Sequence, residues 1–104
     1  MSTTTDTYHR QMTEAELQAS VVKMAGYCGW KCYHTKFSIG SDRGFPDLIL
    51  VRPPRLMAFE FKRDGKHPTA AQDAWLEAIA ACGIETYVFT PFDWHAGTID
   101  EVLR

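Results

Sequence analysis

The chain has 104 residues, 45% of them apolar and 12% aromatic, with a formal net charge of −2. That length supports one hydrophobic core and leaves no room for a second domain. No run approaches the roughly 18–20 apolar residues of a membrane span, and the opening MSTTTDTYHR lacks the apolar segment of a secretion signal, so a soluble, cytoplasmic protein is expected. Three cysteines, Cys28, Cys32 and Cys82, form an odd set without a CxxC pair, which argues against a disulfide framework. The spacing of Cys28, Cys32 and His34 matches no common zinc module, so all three cysteines read as buried thiols.

Residues 1–12 are polar and Thr-rich without periodicity, and read as a flexible tail ahead of one domain at 13–104. The first helix opens at TEAELQASVVKMAGYCGW. Thr13 and Glu16 make a T-x-x-E capping box, Leu17, Val21, Met24, Ala25 and Cys28 recur at helical spacing, and Gly29 supplies a stop. At about 100° per residue, Glu16 turns away from the apolar stripe and is explained by capping. Glu14 shares the side of Leu17 and Val21, so it either reaches solvent past the edge of the core, complementing the helix dipole, or serves a site.

WKCYHT alternates as a strand does. The aperiodic KFSIGSDRG that follows is a loop carrying Lys36 and Arg43, suited either to gripping a phosphate backbone or simply to connecting. His34, at the loop's edge, is within reach of a phosphate but reads as a structural strand residue. DLILV and LMAFEF are apolar on both faces and flank the turn signal RPPR, which predicts two buried strands in a hairpin. Pro68 and Thr69 announce a helix over TAAQDAWLEAIAACG, with Trp75, Leu76, Ile79 and Cys82 on one face and Gly83 as its end. ETYVFT is a fourth strand, stopped by Pro91, and TIDEVLR is a last helix with a T-x-x-E box from Thr98 to Glu101. Trp30, Trp75 and Trp94 are assigned to the core or an interface. The predicted order is α-β-β-β-α-β-α, an α/β fold with a four-stranded mixed sheet flanked by helices, its last two strands made parallel by a right-handed crossover.

The small net charge hides an asymmetry. Residues 31–66 hold eight of the eleven Lys and Arg (Lys31, Lys36, Arg43, Arg52, Arg55, Lys62, Arg63, Lys66) against four acids, while 67–104 hold six acids and only Arg104. Phosphate binding requires such a concentration of cations, although a solvated basic surface explains it equally well when taken alone. Within this region GFPDLILVRPPRLMAFEFKRDGK sets Asp47, Glu60 and Lys62 among apolar strand residues. Folding the hairpin at Pro53–Pro54 pairs Asp47 with Glu60, give or take one residue. Directly opposed residues have Cβ atoms about 4.5–5.5 Å apart, where like charges repel unless a cation lies between them. Carboxylates completed by water and phosphate oxygens are what Mg²⁺ accepts. Lys62 leaves the strand on the same face as Glu60; two adjacent carboxylates keep it charged, so it suits orienting a water and stabilising transition-state charge better than acting as a base.

Pro46-Asp47 followed by Glu60-x-Lys62 resembles the PD-(D/E)XK nuclease signature. TEAELQ, GFPDLILV, FEFKRDGKHPTAAQDAWL and GIETYVF, together spanning roughly Thr13 to Trp94, are similar to the VRR-NUC (virus-type replication-repair nuclease) domain of that superfamily. The resemblance implies a restriction-endonuclease-like core and a Mg²⁺ or Mn²⁺ ion held by Asp47, Glu60 and the backbone carbonyl of Phe61. It also implies Lys62 as catalytic lysine, Glu14 near the metal through an E-x-x-x-Q pattern with Gln18, and Gln72 as a further site residue, though Thr69 to Gln72 is itself a capping-box pattern. The implied activity is structure-selective cleavage of DNA, with Lys36, Arg43, Arg63 and Lys66 contacting the backbone. Short stand-alone relatives of this kind resemble homodimeric Holliday-junction resolvases, which implies a homodimer acting on four-way or branched DNA in a bacterial or phage-infected cell. A catalytically inactive DNA-structure-binding module is the alternative.

Overall fold

The computed structural model describes residues 12–36 and 43–104; the expected tail up to residue 11 and loop residues 37–42 lie outside them. The elements are α1 (Glu14–Tyr27), β1 (Lys31–His34), β2 (Leu48–Arg52), β3 (Arg55–Phe61), α2 (Ala70–Ala81), β4 (Glu85–Phe89), α3 (Pro91–His95) and α4 (Thr98–Leu103). The strands lie in the order β1-β2-β3-β4, antiparallel through β3 and parallel between β3 and β4. The mixed sheet and its parallel last pair are thus as the alternation of elements predicts. None of the helices formed by the described residues is long and apolar enough to cross a membrane.

Local chemistry accounts for the boundaries of α1. Glu16 N donates to Thr13 Oγ1 at 3.0 Å and Thr13 N donates to Glu16 Oε1 at 2.8 Å, closing the capping box. Gly29 leaves the helix at φ +86°, a left-handed conformation that other residues adopt at a cost. The buried face of α1, Leu17, Val21 and Ala25, meets Leu48 and Leu50 of β2, Met57, Phe59 and Phe61 of β3, and Ile99 and Leu103 of α4 in one cluster. Phe59 is its hub, edge-on to Phe61, Tyr87 and Phe89 at centroid distances of 6.1, 5.6 and 4.9 Å.

Three expectations need correction. Pro91 does more than end β4: it opens the short α3, whose first turn is secured by Asp93 Oδ2 accepting from Thr90 N and Oγ1. The expected Thr98–Glu101 box is not formed, because Gly97, at φ +83°, is the residue that caps α4 and Thr98 is already inside the helix. The cysteines are not uniformly buried: Cys28 and Cys32 are half-buried, and Cys82 is exposed because α2 fully buries only Leu76 and its last turn stands in solvent.

The end of the sheet at the β2–β3 turn is held by arginines. Arg52 donates to the carbonyls of Cys28 (2.8 Å), Leu103 (3.2 Å) and Arg104 (3.2 Å), and its guanidinium stacks 4.4 Å from the Trp30 ring centroid. Trp30 Nε1 donates to the same Leu103 carbonyl at 2.7 Å. Arg55 forks onto Glu85 at 2.8 and 2.7 Å. Two of the eight clustered cations are therefore committed to structure, at the end of the strands away from Asp47 and Glu60.

Candidate active site

The β2–β3 register runs from Arg52↔Arg55 to Leu48↔Phe59, and one further step along it sets Asp47 against Glu60. Asp47 precedes β2 in a segment fixed from two sides. On one side Thr35, just past β1, donates from its backbone N to Asp47 O at 2.9 Å and from Oγ1 to Pro46 O at 2.7 Å. On the other, Gly44 lies against the first turn of α2: at φ +84°, a Cβ there would stand 2.6 Å from the Ala71 carbonyl carbon and 2.7 Å from Gln72 N. Only glycine allows that approach. Phe45 meets Trp75 edge-on at 5.0 Å, which seats the rest of α2.

The two carboxyl groups differ in support. Asp47 Oδ2 accepts from Phe61 N at 2.8 Å, whereas Glu60 is 1% exposed and its Oε1 has no hydrogen-bond partner. Lys62 Nζ stands 3.9 Å from Glu60 Oε2, a distance that brings charge without a hydrogen bond. Burial, followed by the Asp47 charge, pushes the Glu60 carboxyl up to about 8. Asp47 is also raised, chiefly by burial, with the Phe61 N–H and Glu60 opposing. The Asp47 charge thus makes the charged form of Glu60 less favourable. Glu14 adds its negative charge to both and accepts from Arg63 N at 3.2 Å through Oε2. Glu14 thus lies towards the strand that carries Glu60, while Glu16 closes the helix cap.

The remaining candidates are dispersed around this centre. Lys62 is half-buried, and its backbone N donates to Phe89 O at 3.0 Å, extending the contact with β4. Gln72 closes the α2 capping box, its Oε1 accepting from Thr69 N at 2.8 Å, so its carbonyl oxygen is occupied in holding the turn beside Gly44. Lys36, Arg43, Arg63 and Lys66 are all exposed, on the segments that lead out of β1, into β2 and out of β3. One pair escaped the sequence reading: Gln18 Nε2 lies 2.9 Å from His34 Nδ1, joining α1 to β1. Their neighbourhood has no local signal, since 16 residues separate them.

An orphaned, buried carboxylate oxygen facing a second carboxylate is a poor arrangement without a cation and a good one with it. Among the described residues no three His, Cys, Asp or Glu side chains form a ready cage. A hard divalent ion such as Mg²⁺ does not need one: it takes one or two carboxylates and completes its shell with carbonyl, water and phosphate oxygens. Asp47, Glu60 and the Phe61 carbonyl fit that donor set.

The VRR-NUC domain family matches residues 10–92 of the chain. No curated protein matches it. Two solved structures described as VRR-NUC domain proteins are similar to it. One has TM-score 0.65 and 25% identity over 89% of this chain and 87% of that one; the other has TM-score 0.71 and 20% identity over 88% and 96%. Hjc, a Holliday junction resolvase from the archaeal hyperthermophile Archaeoglobus fulgidus, shares the fold at TM-score 0.50 and 19% identity over 70% of this chain and 64% of its own. With the family match spanning most of the domain, and the Pro-Asp and Glu-x-Lys elements meeting across one hairpin, the chain belongs to the VRR-NUC domain family of the PD-(D/E)XK nuclease superfamily.

Proposed function

We propose that this protein is a Mg²⁺- or Mn²⁺-dependent endonuclease that hydrolyses phosphodiester bonds in branched DNA, four-way junctions in particular, as a homodimer. The observation that carries the proposal is the buried Glu60 carboxyl, its Oε1 without a partner, opposite Asp47 and two residues from Lys62. Asp47, Glu60 and the Phe61 carbonyl would hold the ion, with Glu14 at its periphery. A bound divalent ion supplies positive charge that acidifies a coordinated water and polarises the phosphate.

The chain's own residues do the rest. Lys62, with its Nζ 3.9 Å from Glu60 Oε2, is placed to stabilise the charge that builds on the phosphate oxygens as water attacks phosphorus and the opposite P–O bond breaks. Phe61 N–H holds Asp47 in place, and β4 holds the strand that carries Glu60 and Lys62. Lys36, Arg43, Arg63 and Lys66 are exposed and free of the structural duties of Arg52 and Arg55, which suits them to backbone contacts that position DNA without reading its sequence. Gln72 serves by keeping α2 seated on the segment that carries Asp47. A twofold dimer would present two equivalent sites to a four-way junction, and the exposed aromatics Tyr27, Tyr33 and Phe92 offer surface for a second copy to cover. Such an enzyme works where replicating DNA lies, in the cytoplasm of a bacterial or phage-infected cell.

Nicking of four-way, flap and linear duplex DNA in Mg²⁺, in Mn²⁺ and in chelator tests this reading. Preferential cutting of branched DNA with metal, abolished in Glu60→Ala, is expected; binding without cutting, or undiminished cutting by Glu60→Ala, would refute it. Binding without cutting is the outcome predicted for an inactive DNA-structure-binding module, a reading disfavoured by the presence of Asp47, Glu60 and Lys62 together. Light scattering of the free protein checks the dimer.

A further inference from the structure

A cavity of about 310 Å³ opens beside Asp47, lined by Glu14, Ala15, Gln18, Ala19, His34, Asp47 and Phe61. It borders the carboxylate centre on the side of α1 and β1, and neither Glu60 nor Lys62 lines it. Two turns of α1 shape it: Glu14 and Gln18 are four apart and present polar groups, while Ala15 and Ala19, also four apart, leave the space. Its size is at the lower end of the roughly 300–1,000 Å³ typical of ligand pockets, suited to one sugar-phosphate unit.

We propose that His34, oriented by Gln18, donates a hydrogen bond to a DNA phosphate seated in this cavity, next to the phosphate held at Asp47 and Glu60. This rests on the nuclease reading of the neighbouring carboxylates. The Gln18 amide nitrogen, 2.9 Å from His34 Nδ1, donates to that nitrogen, so the neutral ring carries its hydrogen on Nε2. Glu14 and Asp47 are the charged groups lining the same cavity, and both are negative. A strand laid through it needs a donor away from the carboxylates, and the Gln18–His34 pair provides one. The alternative, that the pair merely ties α1 to β1, is weak. Leu17, Val21 and Ala25 already dock the helix with no exposed surface, and His34 itself is exposed.

The test measures DNA affinity and nicking kinetics in parallel on a four-way junction. Affinity is read by fluorescence anisotropy in Ca²⁺, whose looser coordination serves for binding, and nicking in Mg²⁺ or Mn²⁺. His34→Ala is expected to weaken binding and raise KM about tenfold, as loss of a hydrogen bond to a charged group does, with kcat changed less than about threefold. His34→Gln, which keeps a donor, should restore most of the affinity. Gln18→Leu should weaken binding about threefold alone and not at all in the His34→Ala background. Unchanged Kd and KM in His34→Ala would overturn the proposal while leaving the nuclease reading intact. Wild-type protein that binds but does not cut would sink the nuclease reading, and the His34→Ala affinity ratio would still decide this one; no DNA binding at all removes both. If His34→Ala fails to fold, ¹⁵N spectra of the wild-type imidazoles decide: His34 Nε2 must shift when DNA is added, and an unmoved signal refutes the contact.

Discussion

Replacing Glu60 with glutamine should stabilise the protein in the absence of metal. The wild-type carboxyl is raised from 4.5 to about 8 in the folded state, first by burial and then by Asp47. Folding therefore takes up a proton. Stability from this group is complete below about pH 4.5 and is lost as pH climbs towards 8. At about 1.4 kcal/mol per pH unit, the loss is on the order of 3 kcal/mol at pH 7 and 4–5 kcal/mol above pH 8. Glutamine has nearly the same shape, cannot ionise, and can donate its amide to Asp47, so most of that loss should vanish. Urea unfolding in chelator at pH 5, 7 and 9 should show Glu60→Gln and wild type nearly equal at pH 5 and the variant increasingly more stable at higher pH. At pH 7 the gain corresponds to a Tm higher by at least about 10 °C for a domain of this size. Adding Mn²⁺ should reverse the order, because an ion that binds only the folded wild type stabilises it by mass action. If the variant were no more stable than wild type at pH 9 in chelator, the account of Glu60 as a buried carboxyl awaiting a cation would be wrong.

Other perturbations probe the frame around the site. Gly44→Ala places a Cβ 2.6 Å from the Ala71 carbonyl carbon on backbone at φ +84°; a loss of about 2–4 kcal/mol in denaturant unfolding is expected, with nicking reduced more than stability alone explains, since the Asp47 segment must shift. Arg52→Ala removes three carbonyl contacts and the Trp30 stack; a loss of about 2 kcal/mol and faster amide exchange through Thr98–Arg104 should follow, with DNA affinity unchanged. Glu85, held below its usual range chiefly by its hydrogen bonds to Arg55, stabilises the fold fully above about 4.5, and that contribution disappears as pH falls through the lower folded value. Because both partners are about a third exposed, Arg55→Ala should cost no more than about 1 kcal/mol at pH 7 and progressively less as Glu85 is protonated. Lys62→Ala should reduce nicking by about a hundredfold or more, with junction affinity in Ca²⁺ changed far less.

What could be read from the chain alone was the part of the architecture that short-range geometry dictates. The Thr13–Glu16 and Thr69–Gln72 boxes start α1 and α2 because a cap is satisfied within four residues. A two-residue turn and the twofold period of a strand bring Asp47 to Glu60, and helical phase separates Glu14 from Glu16. The short α3 was equally legible, since Thr90, Pro91 and Asp93 carry its start signals; reading Pro91 only as a strand stop overlooked them. Charge composition, by contrast, treated Arg52, Arg55, Arg63 and Lys66 alike. Only the fold sends the first two to Trp30, Glu85 and the chain's last carbonyls and leaves the others exposed.

The same holds for contacts between distant segments. Nothing near Gly44 in the chain shows that α2 will press against it, and nothing near His34 shows that Gln18 will turn its ring. Periodicity and turn chemistry act over a few residues and determined which side chains share a face. Close packing of α1, the sheet and α2 decided which faces meet, how deeply Glu60 is buried, and therefore which carboxyl oxygen is left without a hydrogen-bond partner.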